Sequence, residues 1–244
     1  MAIVLPDPRW EAPGLLIPGR KPVVPVQIDW SNPMTRGLVH YHLFPNNLSL
    51  VGGGRVVRGA GGYSNNRGGF WTSGGSQSLV GSTIDATQLN TFDGISVIAG
   101  CRNLDGGPTT WSMLRRDRDN WFGLYQGGGT GEPQLSVVNN NDFSASIICP
   151  RPTLGPEGVD FSAVTAESGR FAGSVNGSPV TTFTSFTIPA WGVVDGVYFG
   201  SSVLSTNANF TETLSHYCGV YNRALSDDEL TALSSDPYQI LIPA

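Results

Sequence analysis

Arg170-Phe171-Ala172-Gly173-Ser174-Val175-Asn176-Gly177-Ser178-Pro179-Val180-Thr181-Thr182-Phe183 is the stretch that decides the fold class. Before the turn its larger apolar groups fall on odd positions, the two-residue period of a strand with one buried face. Asn176-Gly177 follows, the strongest short hairpin signal, because both residues accept positive φ. Pro179 to Phe183 returns as the second arm. An antiparallel hairpin is predicted here.

The same pattern recurs outward from it. Strands are expected at 37–44, 55–58, 94–101, 110–116, 120–126, 134–138, 143–149, 158–165, 169–175, 179–184, 194–200 and 213–222, all rich in Val, Ile, Phe, Tyr, Trp and Thr. Short strands at such spacing predict an all-β, two-sheet antiparallel sandwich. The glycine-rich tracts 52–75 and 127–131 read as loops, and no internal repeat is evident.

One helix is expected after the last strand. Ser226 stands as N-cap and Glu229, three residues on, completes a capping box. Leu225 and Leu230 occupy the staple positions, Asp227 and Asp228 suit the positive end of the helix dipole, and Pro237 ends the element.

Residues 1–25 differ from the rest. Pro6, Pro8, Pro13, Pro18, Pro22 and Pro25 exclude helix and inner strand, so this stretch should run extended. At roughly 3 Å per residue it reaches about 75 Å. It also carries Val4, Leu5, Trp10, Leu15, Leu16 and Ile17, so it is an apolar arm that needs a surface: its own domain or a neighbouring subunit. The tail Tyr238-Gln239-Ile240-Leu241-Ile242-Pro243 is apolar and extended too. The expected organisation is an arm at 1–36, a sandwich at 37–235 and a tail at 236–244.

Bulk properties bound the function. The chain has 244 residues, 39% hydrophobic and 14% charged, with 32 glycines and 17 prolines. That fills one core and many turns, and is too apolar for a disordered chain. A net charge of −5 argues against a nucleic-acid partner, which needs a basic face. The basic run Arg115-Arg116-Asp117-Arg118-Asp119 is partly neutralised by its own acids and reads as a solvated hairpin rim. No apolar segment is long enough to cross a membrane as a helix, and MAIVLPDPRW lacks the cationic start of a signal peptide. Cys101, Cys149 and Cys218, odd in number and set in apolar runs, read as small buried hydrophobes; one pair bridging stays open.

His216-Tyr217-Cys218-Gly219-Val220-Tyr221-Asn222-Arg223-Ala224-Leu225-Ser226-Asp227-Asp228-Glu229-Leu230 resembles the closing strand and helix of laminin-G-like, concanavalin A-like domains. Phe92 to Val97, Gly169 to Gly177 and Val197 to Gly200 resemble other strands of that family, in its order. The resemblance spans about residues 37–235 and implies a jelly roll of two antiparallel sheets. Members of the family bind sugars, bind proteins or hydrolyse glycans, and the fold does not choose among these. The flanks Ile28-Asp29-Trp30-Ser31-Asn32-Pro33-Met34-Thr35-Arg36-Gly37-Leu38 and Ser235-Asp236-Pro237-Tyr238-Gln239 resemble those of laminin-G-like proteins of tailed bacteriophages, with Met34 and Tyr238 replacing leucine and tryptophan.

The residues for chemistry are sparse. Glycosidases set two carboxylates across the bond. The six glutamates, Glu11, Glu132, Glu157, Glu167, Glu212 and Glu229, are scattered, and no alternating carboxylate strand occurs. A Gly-x-Ser-x-Gly elbow is absent. His40 and His42 share one side of a strand but lack a third ligand at metal spacing, and read as strand-surface residues. Calcium is the metal the resemblance implies. Asp117, Asp119 and Asn120, and Asn139 to Asp142, supply oxygens but read first as turns. Trp111 and Trp121 suit the core, whereas Trp71 and Trp191 border loops and are the places for a sugar platform. Gly127 to Gly131 lacks the Lys and helix of a phosphate loop.

The expectation is a non-enzymatic virion structural protein of a tailed phage. It would be a capsid decoration protein anchored by the arm, without cofactor, with the major capsid protein and its own copies as partners. The alternative is a host-adhesion module of the tail that binds surface glycans. Neither nucleic acid nor membrane is expected as a partner.

Overall fold

The computed structural model describes residues 16, 18–44, 49–52, 56–57, 70–72, 80–82, 94–103, 109–115, 121–126, 133–139, 142–149, 158–184, 196–199 and 213–244. In the strands at 56–57, 70–72, 80–82, 109–115, 121–126, 133–139, 196–199 and most of 142–148 the backbone alone is described.

Two antiparallel sheets make a β-sandwich of the jelly-roll kind. One is built from β3 (Val56–Val57), β5 (Val80–Ser82), β7 (Thr109–Arg115), β8 (Trp121–Gln126), β9 (Pro133–Asn139), β10 (Asp142–Ile148) and β14 (Gly196–Phe199), in the order β10-β9-β8-β7-β14-β5-β3. The other contains β2 (Leu38–Leu43), β6 (Gly94–Asn103), β11 (Asp160–Glu167), β12 (Arg170–Val175), β13 (Thr181–Phe183) and β15 (Thr213–Tyr221), in the order β13-β12-β11-β6-β15-β2. On its outer face lies α1 (Asp227–Ser235), against β11 and β12. A separate ribbon joins β1 (Val26–Ile28) to β16 (Leu241–Pro243).

The predicted hairpin is present. Asn176 has φ 51° and Gly177 φ 71°, both in the left-handed region that a tight two-residue turn needs. The predicted helix is present with its full cap: Ser226 Oγ accepts from Glu229 N, and Glu229 returns a carboxylate to Ser226 N at 2.9 Å. Glu229 also takes both terminal nitrogens of Arg223, at 2.6 and 2.7 Å.

Alternation splits the buried residues of the second sheet between two faces. Ile95, Val97, Ala99, Cys101, Val164, Phe171, Val175, Cys218 and Val220 lie on the side that meets the first sheet. Tyr41, Leu43, Ile98, Phe161, Ala163, Ala172, Tyr217 and Tyr221 lie on the other and form one cluster with Leu230 and Leu233 of α1. Tyr238, Ile240 and Leu241 of the tail complete that cluster. Glycines make room for the rings: a Cβ at Gly100 would overlap the Tyr217 ring, and one at Gly219 would stand 2.8 Å from Ile98.

Two short elements depart from expectation, and the arm and tail meet on the domain's own surface. Phe70–Thr72 lies within a glycine-rich tract expected to be loop, yet it forms β4, which pairs with β15 from Thr213 to Ser215. Val80–Ser82 pairs with both β14 and β3. The β1–β16 ribbon ties residues set outside the sandwich, in arm and tail, onto its surface, because Ile28, Tyr238, Ile240 and Leu241 are buried in the outer cluster.

Candidate functional site

The described part of the arm and the tail meet in a clasp. Val26 pairs with Pro243, Gln27 with Ile242 and Ile28 with Leu241. Hydrogen bonds from Asp29 N to Ile240 O at 2.9 Å and from Ala244 N to Pro25 O at 3.0 Å close its ends. Asn32 locks it further: Oδ1 accepts from Met34 N at 2.9 Å, and Nδ2 donates to Gln239 O at 3.0 Å. Gln239 Nε2 in turn donates to Ala232 O and Asp236 O, tying the tail to the end of α1. Tyr41 OH donates to Pro237 O from below. The two flanking motifs of the sequence, around Asp29-Trp30-Ser31-Asn32-Pro33 and Asp236-Pro237-Tyr238-Gln239, are therefore one structural unit.

Period-two alternation buries Ile28 and Leu241 and turns Gln27 and Ile242 outward. Trp30 follows β1 and is 63% exposed, with Val23 at 66% and Ile242 at 38%. Tryptophan is among the most buried residues on average, so one this open is unusual. Its exposure has a local cause. Asp29 Oδ1 accepts from Ser31 N at 3.0 Å and Ser31 Oγ at 2.6 Å, a tight turn that projects residue 30 to solvent. Trp30 is the surface residue that inspection of the sequence overlooked; the Asp-x-Ser-Asn-Pro turn around it was the available signal.

Of the arm residues named from sequence, Leu16 is half-buried against the protein's own outer cluster. Val4, Leu5, Trp10, Leu15 and Ile17 lie outside the described residues, as do Trp191, Asp117, Asp119 and Asn120. Trp71 stands in β4, its backbone opposite Leu214. Trp111 and Trp121 lie in β7 and β8.

The histidines require a correction. His40 and His42, expected on a strand surface, are fully buried, and His216 nearly so. β2 has its core-facing side against the sheet interior, and residues 49–52 cover its free edge through the Tyr41–Val51 bridge. The His40 and His42 rings stack at 6.2 Å, and His42 lies 4.5 Å from Phe44. Burial, assisted by His42, pushes His40 down to about 3. His216 sits where the pairing of β15 is interrupted, between the segment that meets β4 and the one that meets β2. Burial, then Lys21 and Arg102, push it down to about 4. The His40 and His216 rings are neutral parts of the core, and His42 is buried beside them.

The remaining candidates among the described residues are buried or already engaged. All three cysteines are buried and none is in a disulfide. Burial raises the Cys101 and Cys149 thiols to about 12, so neither is a thiolate near neutrality. Glu167 and Asp227 both pair with Arg170, and Glu229 is used by Arg223 and the helix cap. Among the described residues, no group of three or more His, Cys, Asp or Glu is arranged to hold a metal ion.

No protein-family model matches the chain, and no curated protein matches it in sequence. Solved structures do match in fold. The binding domain of botulinum neurotoxin DC, in complex with rat synaptotagmin II, aligns at 11% identity and a TM-score of 0.62 over 82% of this chain and 52% of that one. A botulinum neurotoxin type C structure, described for cell entry dependent on two ganglioside molecules, aligns at 12% and 0.62 over 82% and 51%. A Trypanosoma rangeli sialidase mutant displaying trans-sialidase activity aligns at 13% and 0.59 over 82% and 33%. The chain thus spans about half the length of the neurotoxin domains, and at these identities the likeness is one of fold.

Proposed function

We propose that this chain is a non-enzymatic virion structural protein of a tailed phage, a capsid decoration protein that holds its particle through residues 1–25 and the clasp beside them. The exposed Trp30, together with the exposure of Val23 and Ile242 in the arm and tail that the clasp joins, is the observation that carries the reading. Exposed aromatic anchors beside a polar rim are the chemistry of protein–protein hot spots. The two flanks that resemble phage proteins are also the two that the clasp joins. The proposed partners are the major capsid protein and further copies of this chain.

The test is co-sedimentation with particles that lack the protein. Removing residues 1–25 should abolish occupancy while leaving a folded domain, at a stability cost from the lost Leu16 packing and the lost Ala244 N to Pro25 O bond. Trp30→Ala should weaken occupancy and shift stability by under about 0.5 kcal/mol, as surface changes do. Unchanged occupancy in the truncated protein would overturn the anchor.

A second reading, a glycan-binding adhesion module, draws support from the shared fold with a neurotoxin structure described for cell entry dependent on gangliosides. Binding on a glycan array, with particle occupancy absent, would favour it.

A further inference from the structure

The chain contains a single Asn-Gly step, Asn176-Gly177, at the tip of the β12–β13 hairpin. Asn-Gly is the dipeptide whose backbone closes most readily on its own side chain, since glycine offers no Cβ to obstruct the attacking nitrogen. Here the side-chain oxygen and nitrogen of the asparagine and the attacking nitrogen of the glycine are all hydrogen-bonded elsewhere. Asn176 Oδ1 accepts from Phe161 N at 2.8 Å, and Nδ2 donates to Asp160 Oδ1 at 2.9 Å. Asn176 N donates to Phe161 O at 2.8 Å. Gly177 N donates to Ser234 Oγ at 3.1 Å, in the last turn of α1. Ser234 is itself buried, bonded to Ser174 Oγ at 2.8 Å and to Thr231 O at 3.1 Å.

We propose that Asn176 is a latent deamidation site that α1 holds closed through Ser234, and that its conversion is a one-way step. When α1 lifts, Gly177 N loses its proton to solvent base and attacks Asn176 Cγ. The new N–C bond forms, the Cγ–Nδ2 bond breaks, and ammonia leaves. Water then opens the succinimide at either carbonyl, giving aspartate or isoaspartate; no oxidant or reductant is involved.

The product cannot restore the native contacts. An aspartate at position 176 has no N–H for Asp160 and sets a second carboxylate against a buried one. An isoaspartate lengthens the backbone by one carbon at a residue already in the left-handed region, where the tight turn has no room for it. The hairpin therefore records, irreversibly, that α1 has opened.

Peptide mapping of the full chain reads the conversion as the mass gain of an amide-to-acid exchange, together with the ammonia released. At neutral pH the folded chain should convert Asn176 on the order of a hundredfold more slowly than the same chain in urea, because reaction waits on a sub-global opening. Ser234→Ala should speed folded-state conversion several-fold, the loss of one buried hydrogen bond. Equal rates in folded and unfolded chain, or an unchanged rate in a folded Ser234→Ala variant, would overturn the gating. If Ser234→Ala does not fold, the comparison of wild-type chain with and without urea decides alone. Asn176→Asp should lower the melting temperature; a variant that melts as wild type would overturn the one-way step.

Discussion

Acid should destabilise this protein well before its carboxylates titrate, and the histidines set the size of the effect. His40 and His216 are neutral in the fold, with values pushed down to about 3 and about 4 by burial first. In the unfolded chain each returns to about 6.5. Their folded values are depressed, so the stability is complete above the unfolded value and falls as pH drops, levelling only near the folded value. Each ring costs about 1.4 kcal/mol for every pH unit below about 6.5. At about pH 5 that is about 2 kcal/mol per ring, or about 4 kcal/mol for the two. Against a typical domain stability of about 5–15 kcal/mol, that is a large share. Glu229 is not involved at that pH: burial raises it, but the Arg223 and Ser226 bonds outweigh burial and hold it below its usual range. The assay is a urea titration followed by tryptophan fluorescence at about pH 7.5 and about pH 5, for the wild type and a His40→Gln, His216→Gln variant. The wild type should lose about 4 kcal/mol between the two pH values and the variant little, whatever its starting stability. A wild-type midpoint that does not move, or a variant that moves as far, would refute the assignment of these rings as neutral core groups.

Other outcomes follow from the outer cluster and its cap. Gly100→Ala should cost about 1–3 kcal/mol, because the new Cβ meets the Tyr217 ring and lies 3.2 Å from Phe161; chemical denaturation reads it. Tyr238→Ala should cost about 3–5 kcal/mol, since the ring packs edge-on against Phe161 at 5.9 Å and Tyr217 at 5.6 Å; it should also raise hydrogen exchange at β16. Ser226→Ala should cost about 1 kcal/mol through the lost cap, seen as faster exchange at the first turn of α1.

Much of the second sheet was legible because its strands are long and patterned. Gly94–Asn103, Asp160–Glu167, Arg170–Val175 and Thr213–Tyr221 all lie close to where Val, Ile, Phe and Tyr runs predicted them. The hairpin and α1 were legible for local reasons: Asn176-Gly177 fixes a turn by φ alone, and Ser226 with Glu229 fixes a helix start by two hydrogen bonds. β4 and β5 were not, because three residues between glycines carry no period; their identity comes from the long strands they pair with. The depth of His40 and His42 was hidden for a similar reason. The rings lie opposite Cys218 and Val220 on the side that meets the first sheet, and the later segment 49–52 closes the free edge beside them; neither neighbour is local to the strand. Trp30 escaped notice because its meaning depends on a partner more than two hundred residues away, Gln239, whose carbonyl holds Asn32 and so the turn beside it.

The clasp also sets how a load on the arm would be borne. The arm enters β1 at Val26, opposite Pro243 near the far end of β16. Tension directed away from the surface would meet the pairs one at a time, beginning with Pro25 and Ala244, so each bond would break before the next resisted. Tension directed along the strand would instead shear the Pro25, Gln27 and Asp29 pairings together. The same three-residue ribbon is therefore a zipper in one direction and a rivet in the other. A domain tethered through it would be firm against sliding over a surface and weak against being lifted from it.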